Sequence, residues 1–257
     1  MRLLDLPFVV LTISAVSMWL ATCAGVGLNA RLRPMEREER EYFTVVLTAA
    51  LTLLGLIIGF TFSMAVSRYD LRKYYEEAEA NAIGTEYVRA DLFPSESRSK
   101  IKELLKKYVE LRVTFYTASA LESSTVLRPK ELNAQTVQIQ SQMWFLVQNA
   151  SAPLGTATMA LAASGMNDVL NSQGYAQAAS RNRVPGAAWT LMAVIAICCN
   201  FLVGFGAYRV RGLLLIVLPA LLAISFFLIA DIDSPHGGII HVHPENLQSV
   251  AQLLNAH

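Results

Sequence analysis

The chain has 257 residues, a formal net charge of +1 and 54% hydrophobic residues. It is too apolar for an ordinary soluble domain, and its middle is too charged for a pure membrane bundle. Basic and acidic residues are nearly equal in number, and the sequence contains no nucleic-acid-binding signature. We therefore expect no nucleic-acid partner. All three cysteines lie in apolar stretches, which indicates packing residues rather than a disulfide.

Four apolar runs are long enough to cross a bilayer as helices. They cover residues 6–28, 43–66, 185–208 and 213–230. The first run also has features of a signal peptide, since Arg2 precedes its apolar core, but its length favours a retained helix. We therefore predict an all-α integral membrane protein with four transmembrane helices, and expect the lipid bilayer as a partner.

The spans divide the chain into four parts. They are a first transmembrane hairpin (1–66), a helical extramembrane region (67–184), a second transmembrane hairpin (185–230) and a C-terminal tail (231–257). The extramembrane region is predicted to hold helices at 95–121, 131–149 and 156–180, separated by a linker at 122–130 and an interruption at 152–155. The tail is predicted to end in a short helix at 244–254.

The second span is predicted to continue without a break into the extramembrane region, as one helix over residues 43–91. At ~1.5 Å per residue this helix would be roughly 70 Å long. Ala80, Ile83, Tyr87 and Ala90 share an apolar face, with Glu79, Glu86 and Arg89 placed elsewhere. Glu76, Glu77 and Glu79 are interpreted as a solvated face, supported by an Arg72–Glu76 pair.

The membrane half of this helix carries two patterns. Gly55 and Gly59 form a G-x-x-x-G spacing, which lets a second helix approach closely. One step round the helix lies a stripe of Thr52, Leu56, Phe60 and Ser63. The pattern alone favours a set of ordinary lipid-facing and packing residues, and the alternative is a face turned toward a lumen.

The tail holds all four histidines, His236, His241, His243 and His257. His241 and His243, with Asp231 and Asp233 nearby, form a weak metal-binding pattern, to which we prefer a flexible or docked tail. No P-loop, nucleophile elbow, HExxH or dinucleotide fingerprint is present. We therefore expect no enzymatic activity, no cofactor and no metal.

Three stretches resemble the bestrophins. Gly59-Phe60 followed by Ser67-Arg68-Tyr69 is similar to their second transmembrane helix. A bacterial group labelled bestrophin-like is closer still, through GFTFSMAVSRYD, the Arg183-Val184-Pro185 entry to the third span, and Asp231 to Pro235 after the fourth. Bestrophins are oligomeric anion channels, commonly pentamers. The resemblance implies a homo-oligomer that conducts small inorganic ions.

The same resemblance assigns roles to particular residues. Phe60 aligns with a phenylalanine of the bestrophin pore constriction, and Leu56 and Thr52 occupy the next two constriction positions. Thr52 departs from the apolar pattern there. Independently of the resemblance, Arg68 stands at the water end of the second span, where its side chain is expected to snorkel to the interface, and anion attraction is the alternative role. The acidic calcium-binding run of bestrophins is missing after the fourth span, so calcium gating is not carried over.

Orientation does not follow from charge, because basic residues near the span ends number six on each side of the membrane. The resemblance places the extramembrane region in the cytoplasm and the spans in the inner (plasma) membrane. Two other functions remain open at this point. One is a non-conducting, membrane-anchored helical scaffold, and the other is a metal-dependent membrane enzyme that uses the tail.

Overall fold

A computed structural model describes residues 6–32, 35–118, 129–150, 156–207, 212–235 and 237–256. These residues form helices and no strand. In chain order the helices are α1 (Pro7–Asn29), α2 (Arg37–Arg89), α3 (Ser95–Ala118), α4 (Pro129–Ala150), α5 (Thr156–Arg181), α6 (Gly186–Phe205), α7 (Leu214–Asp233) and α8 (Glu245–Asn255). A short 3₁₀ turn, Ala90–Leu92, follows α2.

Four helical stretches of the described chain are long and apolar enough to span a membrane, as predicted. They are Pro7–Asn29, Arg37–Leu92, Ala160–Phe205 and Leu215–Asp233. The all-α membrane fold is therefore confirmed. Residues 122–128 of the predicted linker at 122–130, and the predicted interruption at 152–155, lie outside the described residues.

Helix α2 is continuous through both its apolar and its charged half, as the unbroken helical period predicts. It begins at Arg37 rather than at Phe43, because the charged segment before the span is helical too. An exposed Arg37–Glu41 ion pair at 3.3 Å supports this first turn. The helix is 53 residues long, which at ~1.5 Å per residue is about 80 Å.

The chain divides into two compact units. The first comprises residues 1–69 and 183–241, and contains α1, the membrane half of α2, α6 and α7. Its core is apolar and includes Met18, Leu54, Met192, Cys199 and Ile229. Because these side chains come from all four spans, they bind the membrane helices into one core.

Helices α1 and α6 cross at a pair of glycines. A Cβ atom on Gly25 would lie 2.1 Å from the carbonyl oxygen of Phe201, and one on Gly204 would lie 2.0 Å from that of Thr22. Any side chain at either position would collide with backbone. This contact is a close approach of two membrane helices through small residues, as is common in bilayers.

The second unit comprises residues 70–182 and 242–257, and contains the charged half of α2 with α3, α4, α5 and α8. Its core is fully buried and includes Ile83, Ile101, Leu105, Tyr108, Met143, Met166, Leu247 and Leu254. Helices α3 and α8 turn their apolar stripes to this core. Each faces the core because its apolar residues recur at helical spacing.

Candidate pore-facing surface and buried carboxyl groups

The membrane half of α2 buries only one narrow face. Leu54, Thr61 and Ala65 are buried, and Ile57 and Ile58 pack beside them. The spacing of these residues keeps them on one side of the helix, toward the core of the first unit. Ala50, Leu51 and Val66 also pack partly against this core, and most other residues of this half are exposed in the described structure.

The predicted constriction residues lie on the uncovered side. Phe60 is 65% exposed and Leu56 is 53% exposed, and Thr52 is exposed as well. At ~100° per residue, Thr52, Leu56 and Ser63 point away from Leu54. The three predicted pore residues thus form one continuous surface that no other part of the described protomer covers.

Threonines extend this surface toward the start of α2. A groove of about 650 Å³ runs along the helix and is lined by Thr44, Val45, Thr48, Ala49, Thr52, Leu53 and Leu56. The hydroxyl groups of Thr44 and Thr52 donate to backbone carbonyls four residues earlier, at 2.8 Å each. The exposed face therefore changes from hydroxyl-bearing to apolar along its length.

The predicted packing glycines also lie on the uncovered side. Neither Gly55 nor Gly59 has any atom within 4 Å of the position that a Cβ would take. Within the protomer, close helix approach uses Gly25 and Gly204 instead. The open surface at Gly55 and Gly59 is free to receive a helix from outside the protomer.

Arg68 lies beyond the apolar run of α2, where the water interface is expected. Its side chain is half-buried, and its Nη1 is buried without a hydrogen-bond partner in the described structure. A guanidinium N–H in this state favours an anionic acceptor.

The expectation of a solvated acidic face on α2 was wrong for two of its three residues. Glu76 and Glu79 are buried, at 1% and 0% exposure, whereas Glu77 is exposed as predicted. Glu86, also placed away from the apolar face, is buried as well. A buried carboxyl group is stable when hydrogen-bond donors satisfy its oxygens. Glu76 and Glu79 both accept hydrogen bonds from such donors.

Glu76 caps the start of α8. Its Oε1 accepts the backbone N–H of Leu247 at 2.9 Å, and its Oε2 accepts the Nδ2 of Asn246 at 2.7 Å. A carboxylate at a helix N-terminus satisfies free N–H groups and complements the positive end of the helix dipole. Glu76 therefore holds α8 in place.

Glu79 pairs with Arg112 of α3 inside the core. The guanidinium donates from Nε to Oε1 at 2.5 Å and from Nη2 to Oε2 at 3.2 Å. Burial alone lowers the pKa of Arg112, but the charge and hydrogen bonds of Glu79 together raise it. Arg112 thus stays charged and ties α3 to α2 through a two-point contact.

The two aspartates at the end of α7 serve as backbone acceptors. Asp231 accepts the N–H groups of Ile239 and Ile240, at 2.7 and 3.0 Å. Gly238 precedes them with φ of +90°, and a Cβ there would collide with the Asp231 carboxylate. Asp233 accepts the N–H of Val184 at 3.0 Å.

These contacts occupy the carboxylates of the weak metal-binding pattern. Among the described residues, no group of three or more His, Cys, Asp or Glu side chains has an arrangement that would hold a metal ion. His236 and His257 lie outside the described residues. The tail aspartates therefore fold the chain after α7 back onto the first unit.

Comparisons with known proteins agree with this architecture. A family model described as the Bestrophin-like domain matches residues 16–247. No curated protein matches the chain.

Solved structures show similarity along nearly the full length. A variant of a bacterial bestrophin homologue from Klebsiella pneumoniae superposes with a TM-score of 0.67 at 11% identity, over 97% of this chain and 98% of that one. Another variant gives 0.66 at 12% identity, over 97% and 99%. A structure described as a membrane protein gives 0.65 at 12% identity, over 97% of each chain. At such identities the likeness establishes the fold.

Proposed function

The chain belongs to the bestrophin-like family and is a channel-type membrane protein, and from this premise we propose that it assembles into a homo-oligomeric anion channel whose pore is lined by α2. The observation that carries the proposal is the uncovered face of α2, with Phe60 and Leu56 both more than half exposed. In a ring of subunits this face turns toward the central axis. The resemblance to bestrophins favours a pentamer in the inner membrane, with the second unit in the cytoplasm.

The constriction in this proposal is apolar. Phe60 and Leu56 are one helical turn apart, so a ring of subunits places two collars of apolar side chains along the pore. Apolar collars stop ions by excluding water from the narrow region. Thr52, which is polar, marks the wider and better hydrated side.

Anion preference in this proposal depends on the absence of acidic side chains along the lining. The surface from Thr44 to Phe60 offers hydroxyl and apolar groups and no acidic one. Arg68 comes two helical turns later, on the side of Leu54 rather than of Phe60, with a buried N–H that lacks a hydrogen-bond partner in the described structure. A guanidinium near the end of the span adds positive potential there, which favours anions over cations. Asp70 lies two residues beyond Arg68 and is exposed, so it belongs to the water-facing part of the helix.

The conducting function is tested by flux through purified protein in liposomes. Chloride efflux is measured with a chloride-sensitive dye, and potassium efflux is measured in parallel with a potassium-sensitive one. Chloride efflux well above that of empty liposomes, with slower potassium efflux, is the expected result. If neither the assembled parent nor its Phe60→Ala variant, in which the apolar collar is widened, passes either ion, the protein is a membrane-anchored scaffold instead.

Assembly through Gly55 and Gly59 is tested by replacing both with leucine. A Cβ at either position would meet no other helix of the described structure within 4 Å, so the change adds bulk to an open surface. We expect the oligomer to weaken, because added bulk separates the backbones of neighbouring subunits. Native mass spectrometry measures the distribution of oligomers.

Gly27→Leu is the matched control, because Gly27 is also exposed and has nothing within 4 Å of its Cβ position. It is expected to leave the oligomer intact. An unchanged mass distribution in the double leucine variant would show that the subunits meet elsewhere.

A further inference from the structure

The third buried carboxyl of α2 differs from the other two. Glu86 has no exposed surface, and both of its oxygens are buried without a hydrogen-bond partner in the described structure. Glu76 and Glu79 each receive two hydrogen bonds, whereas Glu86 receives none. Burial without donors strongly disfavours the ionised form of a carboxyl group.

Helix α5 closes over this carboxyl at a glycine. A Cβ on Gly165 would lie 2.0 Å from Oε2 of Glu86 and 2.4 Å from Nη1 of Arg89. The backbone of α5 thus rests directly on both side chains. Gly165 is buried, so water does not reach the contact from that side.

The charged neighbours of Glu86 do not offset the effect of its burial. Arg89, on α2 itself, lies near Glu86 without forming an ion pair or a hydrogen bond with it, and Asp168 on α5 contributes a negative charge. Burial raises the pKa of Glu86 to about 8, Arg89 lowers it and Asp168 raises it further. At neutral pH the carboxyl is therefore mainly protonated.

We propose that Glu86 is a proton-binding site that controls the contact between α2 and α5. With the proton bound, the neutral carboxyl lies beneath Gly165. When the proton leaves, the buried carboxylate draws water or the Arg89 guanidinium toward it, and the backbone of α5 at Gly165 has to move away. The proposal concerns this one helix contact and does not depend on ion conduction.

The effect on stability has a definite sign. A carboxyl with an ordinary pKa of 4.5 loses its proton in the unfolded chain above that pH, while Glu86 in the folded chain keeps its proton up to about pH 8. The folded state therefore binds more protons between these values, and stability falls as the pH rises through that window. Above about pH 8 both states are ionised and this contribution to the pH dependence levels off.

The proton is detected directly by infrared spectroscopy of the purified protein in detergent. A protonated carboxyl has a carbonyl band that an ionised one lacks. At pH 7 the parent is expected to show such a band, and Glu86→Gln is expected to lose it. Glu77→Gln, which changes an exposed carboxyl of the same helix, is expected to keep it.

Movement of α5 is detected by hydrogen–deuterium exchange. In the parent, amides of α5 around Gly165 are expected to exchange severalfold faster above about pH 8, after correction for the intrinsic pH dependence of exchange. Glu86→Gln, which keeps a neutral side chain at every pH, should not show this change. Gly165→Ala should show fast exchange at all pH values, because its Cβ collides with Glu86.

The parent alone suffices if a variant does not fold, since both its infrared band and its exchange are followed against pH. A band that disappears near pH 8 together with a rise in α5 exchange supports the proposal. Absence of a protonated carboxyl at pH 7 overturns it. So does a band that titrates while the exchange of α5 stays constant.

Discussion

Replacing Arg112 with methionine is expected to lower the free energy of unfolding by about 3–5 kcal/mol, because it leaves a buried carboxylate without its partner. Arg112 and Glu79 are 2% and 0% exposed, so water cannot take over the lost contact. The two hydrogen bonds between them also connect α3 to α2. Chemical unfolding of the purified protein, followed by circular dichroism, measures the loss.

The matched control is Lys107→Met on the same helix. Lys107 pairs with Glu103 at 2.6 Å, but the side chains are 57% and 65% exposed. A pair at this exposure contributes about 0–1 kcal/mol, so this variant is expected to remain close to the parent. Similar losses in the two variants would contradict the distinction between buried and exposed pairs.

A double replacement separates the ion pair from the space that it fills. Changing Glu79 to leucine together with Arg112→Met removes both charges and leaves apolar side chains in the core. Such exchanges are frequently neutral or stabilising, so the double variant is expected to recover much of the stability lost by Arg112→Met. If the double variant were less stable than the single variant, the packing of the Arg112 side chain would contribute more to stability than its ion pair with Glu79.

Replacing Phe60 with alanine is expected to increase ion conductance while the oligomer keeps its mass. The proposed collar widens when its aromatic ring is removed, and a wider apolar region retains water more easily. Leu56→Ala is expected to act in the same direction. Single-channel recording measures the conductance, and native mass spectrometry measures assembly.

The exposure of Phe60 distinguishes this result from a packing defect. A buried phenylalanine loses about 3–5 kcal/mol on truncation, but Phe60 is 65% exposed in the protomer and leaves no internal cavity. Phe62→Ala is the matched control, since Phe62 is also exposed and lies ~200° further round the helix. Intact Phe60→Ala and Leu56→Ala oligomers that conduct no better than the parent would rule out the gate.

The membrane helices and the main apolar stripes were predictable because each depends on local sequence. An apolar run of sufficient length specifies a span. The spacing of Ile101, Leu105 and Tyr108 specifies the buried side of α3 without reference to any other helix. Spacing also places Thr52, Leu56 and Phe60 on one side of α2, but their part in a pore came from the resemblance and stays a prediction.

The buried carboxyl groups were not predicted, because their partners are distant in the sequence. Arg112 is 33 residues from Glu79, and Leu247 is 171 residues from Glu76. One local signal was available and not used. At ~100° per residue, Glu76, Glu79 and Glu86 fall within about 60° of Ile83, at the centre of the buried face.

The close contact of α1 with α6 was missed for a related reason. The G-x-x-x-G spacing at Gly55 and Gly59 directed attention to α2, whereas Gly25 and Gly204 are single glycines on different helices. No spacing rule within one segment relates them. Only the packing of α1 against α6 in the structure shows that each glycine faces the backbone of the other helix.

The position of α8 has a consequence for how the protein is made. Residues 70–182 and 242–257 belong to one unit, although α6 and α7 are synthesised between them. Glu76 therefore leaves the ribosome 171 residues ahead of Leu247. At ~5–20 residues per second this interval is roughly 9–34 s, during which the last two spans must enter the bilayer. Until then the second unit lacks α8, so its core is completed only after translation has passed both spans.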